Sequence, residues 1–146
     1  MNEILKNADL AMYQAKSEGR NRYSVFAADL RARIKESSLL EAAMRDALAR
    51  GEFVLHYQPQ VDIASRRIAG VEALIRWQHP QRGLLSPAEF LSVAEETGLI
   101  APISDWVLRE ACRQAQEWRT MGFESLTMAV NLAPVQFNYD DIPKMV

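Results

Sequence analysis

The chain has 146 residues, 17 Lys and Arg against 19 Asp and Glu, and a formal charge of −2. That length suits one domain of ordinary size or pieces of two, and 49% apolar with 25% charged residues is a soluble globular balance, not a disordered one. The near-neutral charge gives no field for DNA, RNA or an anionic membrane. The longest uncharged run, Ser125 to Tyr139, contains Asn131, Pro134, Gln136 and Asn138 and is no membrane segment. The N-terminus lacks the apolar core of a signal peptide, and a single cysteine, Cys112, excludes an internal disulfide and fits a reducing cytoplasm.

In chain order, Ala8, Leu10, Met12, Tyr13 and Ala15 have helical spacing, with Gly19 as a stop and Tyr23 to Phe26 as a short β-prone run. Residues 27–38 turn small and charged and read as a helical linker, with Leu30 and Ile34 four apart. Ser38-Leu39-Leu40-Glu41 is a capping-box pattern opening a helix whose apolar face is Leu39, Leu40, Ala43, Ala47 and Leu48, ending at Gly51. Phe53 to Gln58 is a strand by propensity, closed by Pro59, and Ile68 to Trp77 is a second strand. The link between them is too short for a crossover helix, so the pair is expected to be antiparallel.

Ser86-Pro87-Ala88-Glu89 is a strong helix start, with Ser86 as cap, Pro87 in the first helical position and Glu89 completing the box. That helix runs to Thr97 with Gly98 as its stop. A longer one is expected over about Ser104 to Met121, with Ile103, Trp106, Val107, Cys112, Ala115 and Trp118 on its buried side. Leu126 to Leu132 follows as a third strand. Strand, helix pair, strand is a βαβ unit, so the second and third strands are expected to be parallel with a right-handed crossover.

Glu72 and Arg76 lie four apart on a strand, on one face, with Leu74 between them. Two charges on an inward face require pairing or use: either a half-buried ion pair, or a metal-binding carboxylate beside an arginine that holds a phosphate. Gln58 joins that face if the hairpin registers 58 against 72; a slip of one residue removes it. Asn131 ends the third strand, where parallel α/β architectures place their sites, although an Asn that starts a turn looks the same. His56 reads as packed on its strand, His79 as a loop residue, Cys112 as a small buried hydrophobe, and Asp140-Asp141 as a cap or solvated pair. No nucleophile elbow, P-loop, zincin or dinucleotide fingerprint is present.

Val71-Glu72-Ala73-Leu74-Ile75-Arg76-Trp77 resembles the signature of EAL domains, the bacterial cyclic di-GMP phosphodiesterases. It stands between Tyr57-Gln58-Pro59 and Ser86-Pro87-Ala88-Glu89-Phe90, then Ala94-Glu95-Glu96-Thr97-Gly98-Leu99-Ile100, and is followed at family-like spacing by Val130-Asn131-Leu132. The resemblance covers about 39–146. Residues 8–16 and Gly19-Arg20-Asn21-Arg22 resemble the last helix and turn of a GGDEF (diguanylate cyclase) domain, whose own signature is absent. The resemblance therefore implies three parts: a GGDEF tail over 1–26, a linker over 27–38, and the N-terminal part of an EAL domain over 39–146.

The implied fold is α/β, a partial TIM-like (β/α) barrel with an antiparallel first strand, cut after about the third strand; a complete barrel needs roughly 250 residues. The implied activity is hydrolysis of cyclic di-GMP to linear pGpG in second-messenger signalling, with Mg²⁺ or Mn²⁺. Glu72 and Asn131 match metal ligands of the family; Gln58, Leu74, Arg76 and Pro87 match substrate-contacting positions. The later acidic ligands and the catalytic lysine have no counterpart here, and Asp140-Asp141 is followed by Ile-Pro instead of Phe-Gly. No complete catalytic set is therefore expected in this chain, and the expectation is an inactive fragment of a phosphodiesterase. The alternative is a module that binds cyclic di-GMP, or oligomerises, without cleaving. A half barrel with open strand edges is further expected to self-associate or swap.

Overall fold

The structure is a computed structural model that describes residues 28–131 and the single residue Met12. The GGDEF-like tail, Met12 apart, and Asp140-Asp141 lie outside the described residues. The chain divides into two units, Met1–Leu39 and Leu40–Val146.

Helix α1 spans Ala28–Arg50 without a break. The capping-box start at Ser38 is therefore overturned: Glu41 accepts a hydrogen bond from Arg45 one turn on (2.7 Å), not from a helix N-terminus. The buried stripe of the second unit is Leu40, Met44 and Ala47, at the i, i+4, i+7 spacing of one helix face, whereas Leu39 is 64% exposed. Gly51, with φ of +67°, ends the helix in a Schellman turn: the Glu52 N–H donates to Ala47 O (3.0 Å) and the Gly51 N–H to Leu48 O (3.4 Å).

Strand β1, Phe53–Val61, and strand β2, Ile68–His79, form the expected antiparallel hairpin, with Phe53 opposite Trp77 and Gln58 opposite Glu72. Pro59 does not close β1 as expected. The Gln78 N–H donates to Glu52 O (2.8 Å), so even-numbered residues of β1 form the hydrogen-bonded pairs. Pro59 falls at an odd position whose missing N–H faces away from β2, where proline is tolerated. A bulge between Gln60 and Val61 shifts the register before the turn.

β2 continues two residues past Trp77 and pairs with a short strand that the sequence reading missed, β3, Gly83–Leu85. Helix α2 then spans Pro87–Thr97, helix α3 spans Ile100–Thr120, and strand β4 spans Thr127–Val130. β4 lies parallel to β2, Gly70 opposite Thr127 through Ala73 opposite Val130, as the βαβ pattern requires. β2 is thus the central strand: β1 follows one edge, while β4 and β3 share the other.

One face of the sheet is apolar. Phe53, Val71, Ala73 and Trp77 are buried, together with Phe90 and Val93 of α2 and Ile103 and Val107 of α3. The rings of Phe53 and Trp77 are centred 5.5 Å apart, and Phe90 meets Trp77 edge-on at 5.7 Å, within the favoured range for aromatic pairs. The Trp77 indole N–H donates to Glu52 Oε2 (3.0 Å), which lets a fully buried tryptophan keep its polar atom paired. Further along β1, Tyr57 meets Trp118 edge-on at 4.8 Å; burial pushes its hydroxyl pKa up, with Glu110 adding to the shift. The buried column of α3 is Ile100, Ile103, Ser104, Val107, Leu108 and Ala111, one turn earlier than expected. Cys112 is only half-buried, which corrects its reading as a core hydrophobe.

Candidate functional site

The opposite face of the same sheet carries the polar residues. Strand alternation sends Val71, Ala73, Ile75 and Trp77 toward the helices and Glu72, Leu74 and Arg76 the other way. Residues directly opposite in an antiparallel pair share a face. Three rows result: Gln58 with Glu72, His56 with Leu74, and Val54 with Arg76. The register on which the placement of Gln58 depended is the one observed.

β4 completes the arrangement from the other edge. Its parallel pairing sets Ala129 opposite Glu72, and Asn131, two residues on, lies on the same face. There Asn131 Nδ2 donates to Glu72 Oε1 at 2.6 Å, joining two side chains 59 residues apart in sequence. Glu72 is half-buried and Asn131 exposed. The ion-pair alternative for Glu72 and Arg76 is not what forms. Among the described residues no ion pair joins them, and Arg76 Nη1 donates to its neighbour's carbonyl, Ile75 O, at 2.7 Å.

Pro87 lies apart from this face. It occupies the first turn of α2, just after β3, beyond the end of β2 where Trp77 pairs with Leu85. The cap ahead of it is formed: the Ser86 N–H and hydroxyl both donate to Glu89 Oε2 (2.7 and 2.8 Å), and these bonds hold the Glu89 carboxyl below the usual carboxylate range. Among the described residues no three His, Cys, Asp or Glu side chains gather at one point.

His56, expected to pack on its strand, is instead exposed on the polar face, level with Leu74. The signal was available in the alternation that put Gln58 there, since 56 and 58 share parity. His79 belongs to the end of β2, not to a loop; its Nδ1 accepts the N–H groups of Gln81 (3.1 Å) and Arg82 (3.3 Å).

An antiparallel first strand, a central strand, a helix pair and a parallel strand, with polar groups on the face away from the helices, define an α/β fold of the barrel type. Residues 41–145 match the EAL-domain family, and the chain belongs to it. It is 49% identical over 135 residues to the bifunctional diguanylate cyclase/cyclic di-GMP phosphodiesterase MucR of Pseudomonas aeruginosa, covering 92% of this chain and 20% of that protein. It is 41% identical over 133 residues to the cyclic di-GMP phosphodiesterase PdeR of Escherichia coli, covering 91% and 20%.

Among solved structures, the PaMucR phosphodiesterase in complex with c-di-GMP superposes with a TM-score of 0.70 at 47% identity, over 74% of this chain and 44% of that one. The FimX EAL domain of Xanthomonas citri, also bound to c-di-GMP, gives 0.63 at 29% identity, over 79% and 43%. The chain thus spans about a fifth of these curated relatives and less than half of the solved domains.

Proposed function

We propose that this chain is the N-terminal part of a cyclic di-GMP phosphodiesterase domain, supplying part of its cation site and one wall of its nucleotide site. The observation that carries the reading is the contact between Asn131 and Glu72, which brings a strand-borne carboxylate and a strand-end amide together on the open face. The donor set suits a hard divalent cation, Mg²⁺ or Mn²⁺, which takes carboxylate and amide oxygens. With the Asn131 amide turned over, two oxygens replace the present N–H···O contact. Adjacent oxygens around an octahedral Mg²⁺ are about 3.0 Å apart, close to the present 2.6 Å, so little movement is required.

A cation held by Glu72 and Asn131 supplies Lewis acidity toward a phosphoryl group and acidifies a water. The chain's own residues then bind and orient. Arg76, once it releases Ile75 O, offers a guanidinium fork to a phosphate; the Gln58 amide is directly opposite Glu72; Leu74 gives an apolar floor, and Pro87 lines the approach from the carboxyl end of β2.

The match to MucR covers 92% of this chain and so extends ahead of Glu41. That supports reading residues 1–26 as the tail of a GGDEF domain and 27–38 as the linker in a tandem GGDEF–EAL protein. The setting we assign is cytoplasmic; among the described residues no helix is long and apolar enough to cross a membrane. The outer edge of β1 is unpaired among the described residues, so copies of the isolated chain are expected to associate through it, visible as a mass that rises with concentration in light scattering.

The deciding assay is conversion of cyclic di-GMP to pGpG by the full-length protein. Activity that requires added Mg²⁺ or Mn²⁺ and disappears in Glu72→Gln supports the reading. Tight binding without turnover in both proteins replaces it with that of a binding module.

A further inference from the structure

Of the hydrogen-bonding side chains on the polar face that the proposed function leaves unused, His56 is the one that lies between the Gln58 and Arg76 rows. His56 stands two residues before Gln58 on β1 and directly opposite Leu74 on β2. Its ring is exposed, and it makes no hydrogen bond, ion pair or ring contact with any described residue. His79, by contrast, is tied to the Gln81 and Arg82 amides and lies 4.9 Å from the Trp77 ring. An imidazole without a partner among the described residues at mid-strand, on a face where Glu72 already has one, is available to a ligand.

Its row gives it a specific place. The His56 and Leu74 row lies between the Gln58 and Glu72 row and the Val54 and Arg76 row. Glu72 and Arg76 are four residues apart, about 13 Å along the strand. A molecule that reaches from a cation at Glu72 to the Arg76 guanidinium must cross the middle row. Of the side chains at that level, Leu74 is apolar and Asn131, which follows Val130 of β4, is already engaged with Glu72; the imidazole is the hydrogen-bonding group left on the β1 side. A phosphodiester-linked dinucleotide has the length to span that distance and presents phosphate and ribose oxygens along it.

Resting on the function proposed above, we propose that His56 is a substrate-contacting residue whose ring N–H donates to a ribose or phosphate oxygen of the segment lying between Arg76 and Glu72. Leu74, across the strand, takes the apolar side of the same segment. The contact holds the ground state as well as the transition state, so its loss appears in KM and not in kcat.

The test compares His56→Phe, His56→Gln and Arg76→Ala in the full-length protein with Mg²⁺ and cyclic di-GMP. His56→Phe keeps the ring and loses the donor; a single lost hydrogen bond raises KM about tenfold with kcat within about twofold. His56→Gln restores a donor and stays within about threefold of the unaltered KM. Unfolding midpoints stay unchanged, because the side chain is exposed and has no partner among the described residues. Unaltered kinetics in His56→Phe alongside loss in Arg76→Ala would overturn the role of His56 and leave the functional reading standing. Unaltered kinetics in both variants, or no hydrolysis by the unaltered protein, would overturn that reading and this inference with it. A fall in the unfolding midpoint of both His56 variants would assign a structural role and overturn the inference.

Discussion

Gly70 and Thr127 approach so closely that a methyl group on Gly70 would lie 3.0 Å from the Thr127 carbonyl oxygen and would collide with its hydroxyl. That hydroxyl donates to Ala69 O (3.2 Å), fixing the first residue of β4 against the start of β2. The position of Asn131 depends on this seam, because Thr127 opposite Gly70 sets Ala129 opposite Glu72. Gly70→Val is expected to separate β4 from β2 at a cost of about 1–3 kcal/mol, as for overpacking elsewhere. Hydrogen exchange checks it: Thr127–Val130 lose protection while the β1–β2 hairpin keeps its own.

Trp77 anchors the opposite face. It is fully buried, packs against Phe53 and Phe90, and has its indole N–H paired with Glu52. Trp77→Ala removes the largest side chain of the core and leaves the Glu52 carboxylate without that donor. The expected loss is about 3–5 kcal/mol, measured as a lower urea midpoint. Trp77→Phe loses the hydrogen bond and part of the volume, and its midpoint should fall between the two. Unaltered cation binding at Glu72 in Trp77→Phe would show that the two faces act separately.

Much of this arrangement is legible in the sequence because alternation in β2 is clear: Val71, Ala73 and Trp77 are buried and Ile75 half-buried against the helices, whereas Glu72, Leu74 and Arg76 alternate with them. The pairing of Gln58 with Glu72 was legible only as a condition, since register depends on a turn whose bulge at Gln60 and Val61 has no sequence marker. Pro59 is no stop for β1, because it occupies a position that donates nothing to the ladder. α3 begins at Ile100, ahead of the expected Ser104, and Pro102 is tolerated in its first turn, where the N–H has no intrahelical partner to lose. β3 was invisible because its three residues merge into the cap of α2, and Met44 was passed over for Leu39, which points outward.

The cap of α2 makes stability depend on acid. Ser86's backbone N–H and hydroxyl stabilise the charged form of Glu89, so its pKa in the folded chain is below the ordinary carboxylate value that the unfolded chain retains. A group depressed in this way contributes stability above its unfolded pKa and loses it as pH falls through its folded pKa. Glu89→Gln keeps the shape and an acceptor oxygen but not the charge. The unaltered chain is expected to be the more stable at pH 7, and the difference should shrink toward zero as acid protonates Glu89. Because Glu89 is exposed, added salt should reduce the difference at pH 7 as well. Thermal midpoints of both proteins across pH, at two salt concentrations, provide the check.

Glu72 and Asn131 meet at 2.6 Å, yet two ligands do not make a catalytic cation site. Mg²⁺ takes six ligands and completes its shell with water where protein oxygens are few, and a shell dominated by water binds weakly. Among the described residues no three His, Cys, Asp or Glu side chains gather around Glu72, and the strands that carry the polar face there are β1, β2 and β4. Residues 1–146 by themselves are therefore expected to bind Mg²⁺ only weakly and to convert no cyclic di-GMP to pGpG, whereas, on the function proposed above, the full-length protein is expected to do so and to lose activity when chelator removes the cation. Product chromatography of both preparations, with and without added Mg²⁺, measures this. Metal-dependent turnover by residues 1–146 alone would show that the residues on this half of the face suffice for the chemistry, and the division of labour proposed for Glu72, Asn131 and Arg76 would have to be redrawn.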